Sequence, residues 1–227
     1  GLPDDFEQAI LEKFQPIWKF SAEDCDILPA EFEPFLTPTV QDRNGTIYGQ
    51  VFLRGSNSSG FFVEAHFHDL WGADCGFFNS HPLDAEHVSV LIRTPDSSQP
   101  LSEWRATHWY FAAHEDTPCD SSEAVSAGKL NAEDNGATVW VSWGKHAAFS
   151  QRRKCNTRGG CGRDRCGDPI ITHMAVPVNV GEPGMPLNGA TWTSSEQWPL
   201  LQKMDTDFSD RLLSDKKGGK GKKPPRR

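Results

Sequence analysis

The chain has 227 residues, 37% apolar and 24% charged, which suits one large domain or two small ones and excludes a disordered polymer. Its net charge of −8 hides a split: residues 216–227 carry five lysines and two arginines and no acid, which leaves 16 basic against 31 acidic residues elsewhere. A body near −15 is a poor general binder of nucleic acid, and no nucleic-acid partner is expected.

Taken in chain order, residues 4–14 predict a short helix. Phe6, Ile10 and Phe14 recur every four residues, and Asp4 and Asp5 suit its N-terminus. Residues 15–20 form an extended piece, and Pro29, Pro34 and Pro38 make the next segment irregular. A strand over 46–53 follows the Asn44-Gly45 turn. The central strand is 61–68, where Phe61, Val63, Ala65 and Phe67 alternate with Phe62, Glu64, His66 and His68. The 69–81 connection holds Trp71, Cys75, Phe77 and Phe78, and a strand over 87–93 follows it. Thr107–His114 is an aromatic strand, 115–136 a loop with a helical turn near 124–127, and Ala137–Ser142 a β-branched strand. A cysteine loop fills 150–169, and 176–180 is a short strand or turn entry. Trp192 and Trp198 are expected to plug a core edge, and the last dozen residues to be disordered. Several short strands separated by turn signals predict a mostly β, single-domain β-sandwich over 1–205 with short peripheral helices and disulfide-pinned loops. Residues 206–227 form a C-terminal segment ending in the basic tail.

Six cysteines (Cys25, Cys75, Cys119, Cys155, Cys161 and Cys166) in polar, loop-like surroundings predict three disulfides, at least one inside 155–166. This implies an oxidising compartment and a secreted protein. The sequons Asn44-Gly45-Thr46 and Asn57-Ser58-Ser59 agree with a glycoprotein, and the start at Gly1-Leu2-Pro3 with a processed one. A monomer is expected.

Chemistry concentrates between Glu64 and Val90. A strand puts i and i+2 on one face, so Glu64, His66 and His68 form one polar stripe, and Asp84 and Glu86 another. Imidazoles and carboxylates converging on a point suit a divalent cation. His81, Asp84 and Glu86 are the expected ligands, with Asp69, His66 or His68 completing the shell and His146, at the end of a strand, a further candidate. Carboxylate-dominated ligation selects calcium, magnesium or manganese; ligation by His66 and His68 selects zinc, copper or iron. Two functions follow. One is recognition of an extracellular glycan or lipid headgroup at a membrane surface, with Trp71, Trp109 and Trp143 as candidate stacking faces. The other is a metal-dependent hydrolase with Glu64 or Glu86 as general base. No Gly-x-Ser-x-Gly elbow or phosphate-binding glycine loop occurs.

Residues 11–20, the run Asp84-Ala85-Glu86-His87-Val88 and the run 139–149 resemble, in the same order, the vacuolar protein sorting protein sixty-two family. That resemblance spans roughly residues 9 to 200. More distantly the chain resembles the necrosis- and ethylene-inducing peptide-like proteins, secreted cytolysins with a β-sandwich. Their cation site, carried over by His-x-x-Asp-x-Glu spacing, implies His81, Asp84 and Glu86 as ligands, with Asp69 the nearest counterpart of an upstream aspartate. Ser80, Leu83 and Ala85 depart from that family's glycine, histidine and tryptophan, which bears on cytolysis more than on the metal. His-x-His followed by Trp71-Gly72 also occurs in α-type carbonic anhydrases, but that family's other landmarks are absent.

Overall fold

The structure, a computed structural model, describes residues 1–26, 28–32, 45–75, 80–115, 117–158, 164–168, 170–173, 175–182, 184–190 and 207–214. The sequon at Asn44, Cys161, Phe77, Phe78, Trp192, Trp198 and the basic tail lie outside the described residues.

Alternating apolar residues make the two principal sheets. The larger holds six strands in the order β10-β2-β3-β4-β5-β6: β2 Ile47–Asn57, β3 Gly60–Asp74, β4 His81–Thr94, β5 Arg105–Phe111, β6 Glu123–Ser126 and β10 Val178–Asn179. Its five longer strands pair antiparallel, and β10 joins β2 in parallel. The smaller sheet runs β8-β7-β1-β9, from β1 Ile17–Ser21, β7 Thr138–Val141, β8 Ala148–Phe149 and β9 Ile170–His173. A two-stranded ribbon, β11 Gly181–Glu182 with β12 Met185–Pro186, lies beyond β10 in the chain.

The sheets pack face to face. Trp18 and Phe20 of β1 and Val139 and Val141 of β7 meet Val63, Ala65 and Phe67 of β3, Val88, Val90 and Ile92 of β4, and Trp109 and Phe111 of β5 in one buried cluster. This confirms the mostly β sandwich. Helix α1, Asp4–Lys13, closes one side of it with Ile10 and Leu11, and Phe14 follows at its C-cap. Its approach to β2 requires Gly49, where a Cβ would stand 2.5 Å from Leu11 Cδ1. Lys13 anchors the helix end by donating to the carbonyls of Leu101 and Trp104 at 2.8 and 2.7 Å.

Several boundaries differ from the sequence expectation. β3 and β4 each extend six residues past their expected inner ends, because cross-strand pairing continues to Asp74 opposite His81. The expected loop at 115–136 contains β6 and a short helix, α2 Ala127–Leu130, and the cysteine loop contains α3 Arg152–Arg158. A fourth helix, α4 Asp207–Ser214, lays Phe208 on Tyr110, ring to ring at 5.1 Å, on the sheet face turned away from the sandwich interior.

Two disulfides occur among the described residues, Cys25–Cys75 and Cys155–Cys166. The second fulfils the expectation of a bridge inside 155–166.

In the first turn of α1, Glu7 is buried and accepts a hydrogen bond from Asn179 Nδ2 at 3.3 Å. Burial pushes its carboxyl up to about 7 against that bond, and the charges of Glu182 and Asp4 add to the rise. Because the folded state holds this proton to higher pH than the unfolded chain, stability falls between about pH 4.5 and 7 and stays reduced above. Glu7→Gln is therefore expected to stabilise the protein at pH 8 by on the order of 1 kcal/mol and to change nothing at pH 4. Urea midpoints at the two pH values test this; equal shifts at both would contradict it.

Candidate functional site

Strand parity divides the expected ligands between two places. Asp69 and Trp71 of β3 share the inward face with Phe67, and Asp84 and Glu86 of β4 share it with Val88. Glu64, His66 and His68 lie on the opposite, outward face. His66 and His68 therefore cannot complete a shell begun by Asp84 and Glu86, because the sheet itself stands between them.

The inward group sits at one end of the sandwich, where β3 and β4 meet the turns that follow β1 and β7. His146 enters from the second turn with a positive φ of 48° and stacks on Trp71 with ring centroids 4.1 Å apart. Its Nδ1 lies 3.0 Å from Asp84 Oδ2 and its Nε2 3.6 Å from Asp24 Oδ1. Burial opposes its charge, but the bonds to Asp24 and Asp84 and their charges prevail and push its pKa up to about 10. His146, named as a further candidate ligand, thus carries a proton that a metal ion would have to displace. The neighbouring Lys145 reaches Asp74 at 2.6 Å. His81, half exposed, also meets Asp74, at 3.5 Å, and lies beyond Leu83, whose φ of 59° breaks the pleat. Among the described residues His81 is in no group of three ligand atoms within 4.8 Å.

Asp69 accepts from Trp71 Nε1 at 2.9 Å, while its Oδ1 is buried with no hydrogen-bond partner among the described residues. Burial pushes its carboxyl up to about 7, with Trp71 and His146 working against the rise. Asp69 stands directly opposite Glu86 in the β3–β4 register, a like-charge pair that is unfavourable without a proton or a cation. Five carboxylates (Asp24, Asp69, Asp74, Asp84 and Glu86) thus share this end with two cations, Lys145 and His146. Asp69, Asp84 and Glu86 carry oxygen donors of the kind a hard divalent cation takes. Among the described residues, however, it is Asp24, Cys25 and His146 that bring ligand-type atoms within 4.8 Å of one another. Cys25 is tied to Cys75 as a disulfide and offers no thiolate, so a metal held here would rest on Asp24 and a deprotonated His146.

The turn carrying His146 is fixed from outside. Gly144 N donates to Asp24 Oδ1 at 3.0 Å, Cys75 N donates to Gly144 O at 2.9 Å, and Trp143 Nε1 donates to Glu23 O at 2.9 Å. Trp143 is 45% exposed, whereas Trp71 and Trp109 are buried in the core. Only Trp143 of the three candidate stacking faces is accessible.

On the outward face, His66 Nε2 lies 2.8 Å from Glu64 Oε1, and Glu64 Oε2 lies 3.7 Å from Arg54 Nε. Glu64 is buried and engaged by both, a poor position for the general base of a hydrolase. His87, which the expected ligand set omitted, belongs to this face as the cross-strand partner of His68. Its parity with Ser89 and Leu91, opposite to Val88 and Val90, is the signal that could have placed it. Burial and the neighbouring His66 and His68–His87 contacts matter here: burial first, then the His66 and His87 imidazoles, hold His68 well below the usual histidine range, so it stays neutral.

Comparisons with protein-family models, curated proteins and solved structures return no match. The class rests on the fold and the site alone: a disulfide-bonded β-sandwich with a carboxylate-rich end beside an exposed tryptophan. No helix among the described residues is long and apolar enough to cross a membrane.

Proposed function

We propose that the protein is a secreted recognition module that binds an extracellular glycan at the acidic end of its sandwich. The observation that supports this is Trp143, an exposed indole pinned by Glu23 three residues before the buried His146 that contacts Asp84 and Asp24. An immobilised aromatic face packs against the C–H face of a sugar at little cost in side-chain entropy. The carboxylates behind it are buried and would meet sugar hydroxyls through a bound ion. A calcium-like ion held by Asp69, Asp84 and Glu86 would strengthen the site by supplying a hard positive charge for hydroxyl oxygens. The two disulfides support the oxidising compartment. A lipid headgroup is the weaker reading, since the exposed group is an indole and the surrounding body is acidic.

Binding to a panel of polysaccharides, with calcium and with chelator, tests this against anionic vesicles run in parallel. Trp143→Ala is expected to weaken glycan binding at least tenfold with the fold unchanged, since stacking contacts are worth about 1–3 kcal/mol. Equal binding by the wild type and the variant, or binding to vesicles alone, would overturn the reading.

A further inference from the structure

We infer that His66, His68 and His87 form a second metal site, on the outward sheet face, which takes one transition-metal ion of the zinc, copper(II) or cobalt(II) class. The site is independent of the acidic end and of its hard cation.

The geometry starts from the register. His66 and His68 occupy alternate positions of β3, and His87 of β4 is the direct cross-strand partner of His68. Three side chains therefore project from a triangle of neighbouring positions on one face. Their ring centroids are 5.7 Å (His66–His68), 6.1 Å (His66–His87) and 6.2 Å (His68–His87) apart. Imidazoles bound to one tetrahedral ion at about 2.0–2.1 Å carry their ring centroids about 5 Å apart. The three do not form a group with ligand nitrogens within 4.8 Å of one another, so metal binding requires the rings to close by about 1 Å and to rotate their nitrogens together. All three are buried, at 0%, 0% and 1% exposure.

His66 and His68 are each held from behind by a hydrogen bond in the manner of a metal ligand, and His87 has a carboxylate near its far nitrogen, beyond hydrogen-bond range. His66 Nε2 faces Glu64 Oε1 at 2.8 Å, His68 Nε2 faces Gln50 Oε1 at 3.0 Å, and His87 Nε2 faces Glu115 Oε2 at 3.7 Å. A carboxylate only accepts, so His66 donates through Nε2, which leaves Nδ1 as the nitrogen that can face a metal ion. Oxygen partners of this kind orient ligating imidazoles and raise their basicity. Two buried groups independently indicate a missing ligand. His66 Nδ1 has no hydrogen-bond partner among the described residues, and neither has the hydroxyl of Ser89, the residue opposite His66 in the register. A buried polar atom left without a partner is costly, and a ligand coordinated at this face would relieve both.

Donor chemistry selects the ion. Three neutral imidazoles suit zinc, copper(II), nickel or cobalt(II), and they are poor ligands for calcium or magnesium. The carboxylates of the acidic end have the reverse preference, and the sheet lies between the two.

The test uses the full chain after chelation and dialysis. Zinc and cobalt(II) are titrated by calorimetry, and cobalt(II) also by its visible absorption, which distinguishes four-coordinate from six-coordinate ions. One equivalent of cobalt(II) is expected to bind with a four-coordinate spectrum, and zinc to displace it. His87→Ala should lower the affinity at least a hundredfold, and Gln50→Ala, which removes the orienting partner of His68 together with the bond from Gln50 Nε2 to Gly181 O, about tenfold. Asp84→Asn should leave zinc binding unchanged while abolishing any calcium binding, so the two sites fail separately. If His87→Ala does not fold, paramagnetic shifts of imidazole protons in the wild-type cobalt protein count the bound rings, and three are expected. A wild type that binds neither ion, a six-coordinate cobalt spectrum, or equal affinity in wild type and His87→Ala would each overturn the inference.

Discussion

Replacing His146 with alanine is expected to destabilise the protein by about 3–5 kcal/mol, the range for breaking a buried ion pair from one side. The imidazolium lies between Asp84 and Asp24, and both carboxylates are shielded from water around it. Removing it leaves those charges facing each other and Asp69, and it also removes the ring stacked on Trp71. For a chain of this length the melting temperature should fall by roughly 6–20 °C. The urea midpoint should move with little change in slope, since the surface exposed on unfolding is nearly the same. Coupling is the sharper measure: adding Asp84→Asn to His146→Ala should cost less than the sum of the two single changes, because the second removes a charge that the first stranded. Calcium should bind the His146→Ala protein more tightly than the wild type, as it restores the lost positive charge. A single variant within 1 kcal/mol of wild type, or strict additivity in the pair, would show that His146 carries no charge in the fold.

The division of the site into two faces was legible in the sequence. Val63, Ala65 and Phe67 mark the core face of β3, and His66 and His68 have the opposite parity. Val88, Val90 and Ile92 mark the core face of β4, and Asp84 and Glu86 share their parity. Neighbouring strands of one sheet turn their apolar sides the same way, so the two polar sets had to part. Spacing within each strand suggested convergence; parity across strands forbids it. The same rule places His87 beside His68 and Ser89 beside His66. What was not legible is the source of His146 and Asp24. Both lie in turns, separated from β4 by 62 and 60 positions of chain, and only the packing of the smaller sheet on the larger brings them to Asp84. No periodicity reports such a contact. The burial of Trp71 and Trp109 was equally hidden, because composition does not say which tryptophans stay at the surface.

The acidic end depends on one covalent tie, and its removal should be felt there first. Cys25 and Cys75 are 50 residues apart, with Cα atoms 6.5 Å from each other. On the chain-entropy account a loop of that length contributes about 4 kcal/mol, against about 3 kcal/mol for the 11-residue separation of Cys155 and Cys166. The difference in place matters more than the difference in size. The turn around Cys25 supplies Glu23 O to Trp143, Asp24 to Gly144 and His146, and Asp26 Oδ2 to Ala73 N at 3.2 Å. Cys25→Ala with Cys75→Ala should therefore lower stability by about 4 kcal/mol and also release the indole and the imidazolium from their partners. The expected signature is a red shift of tryptophan emission below the unfolding transition, with glycan and calcium binding weakened together. Cys155→Ala with Cys166→Ala should lower stability and leave both binding activities intact in the folded protein. If the two double variants lose binding to the same extent at equal fraction folded, the tie at Cys25 acts only through global stability, and the acidic end is not the element it holds in place.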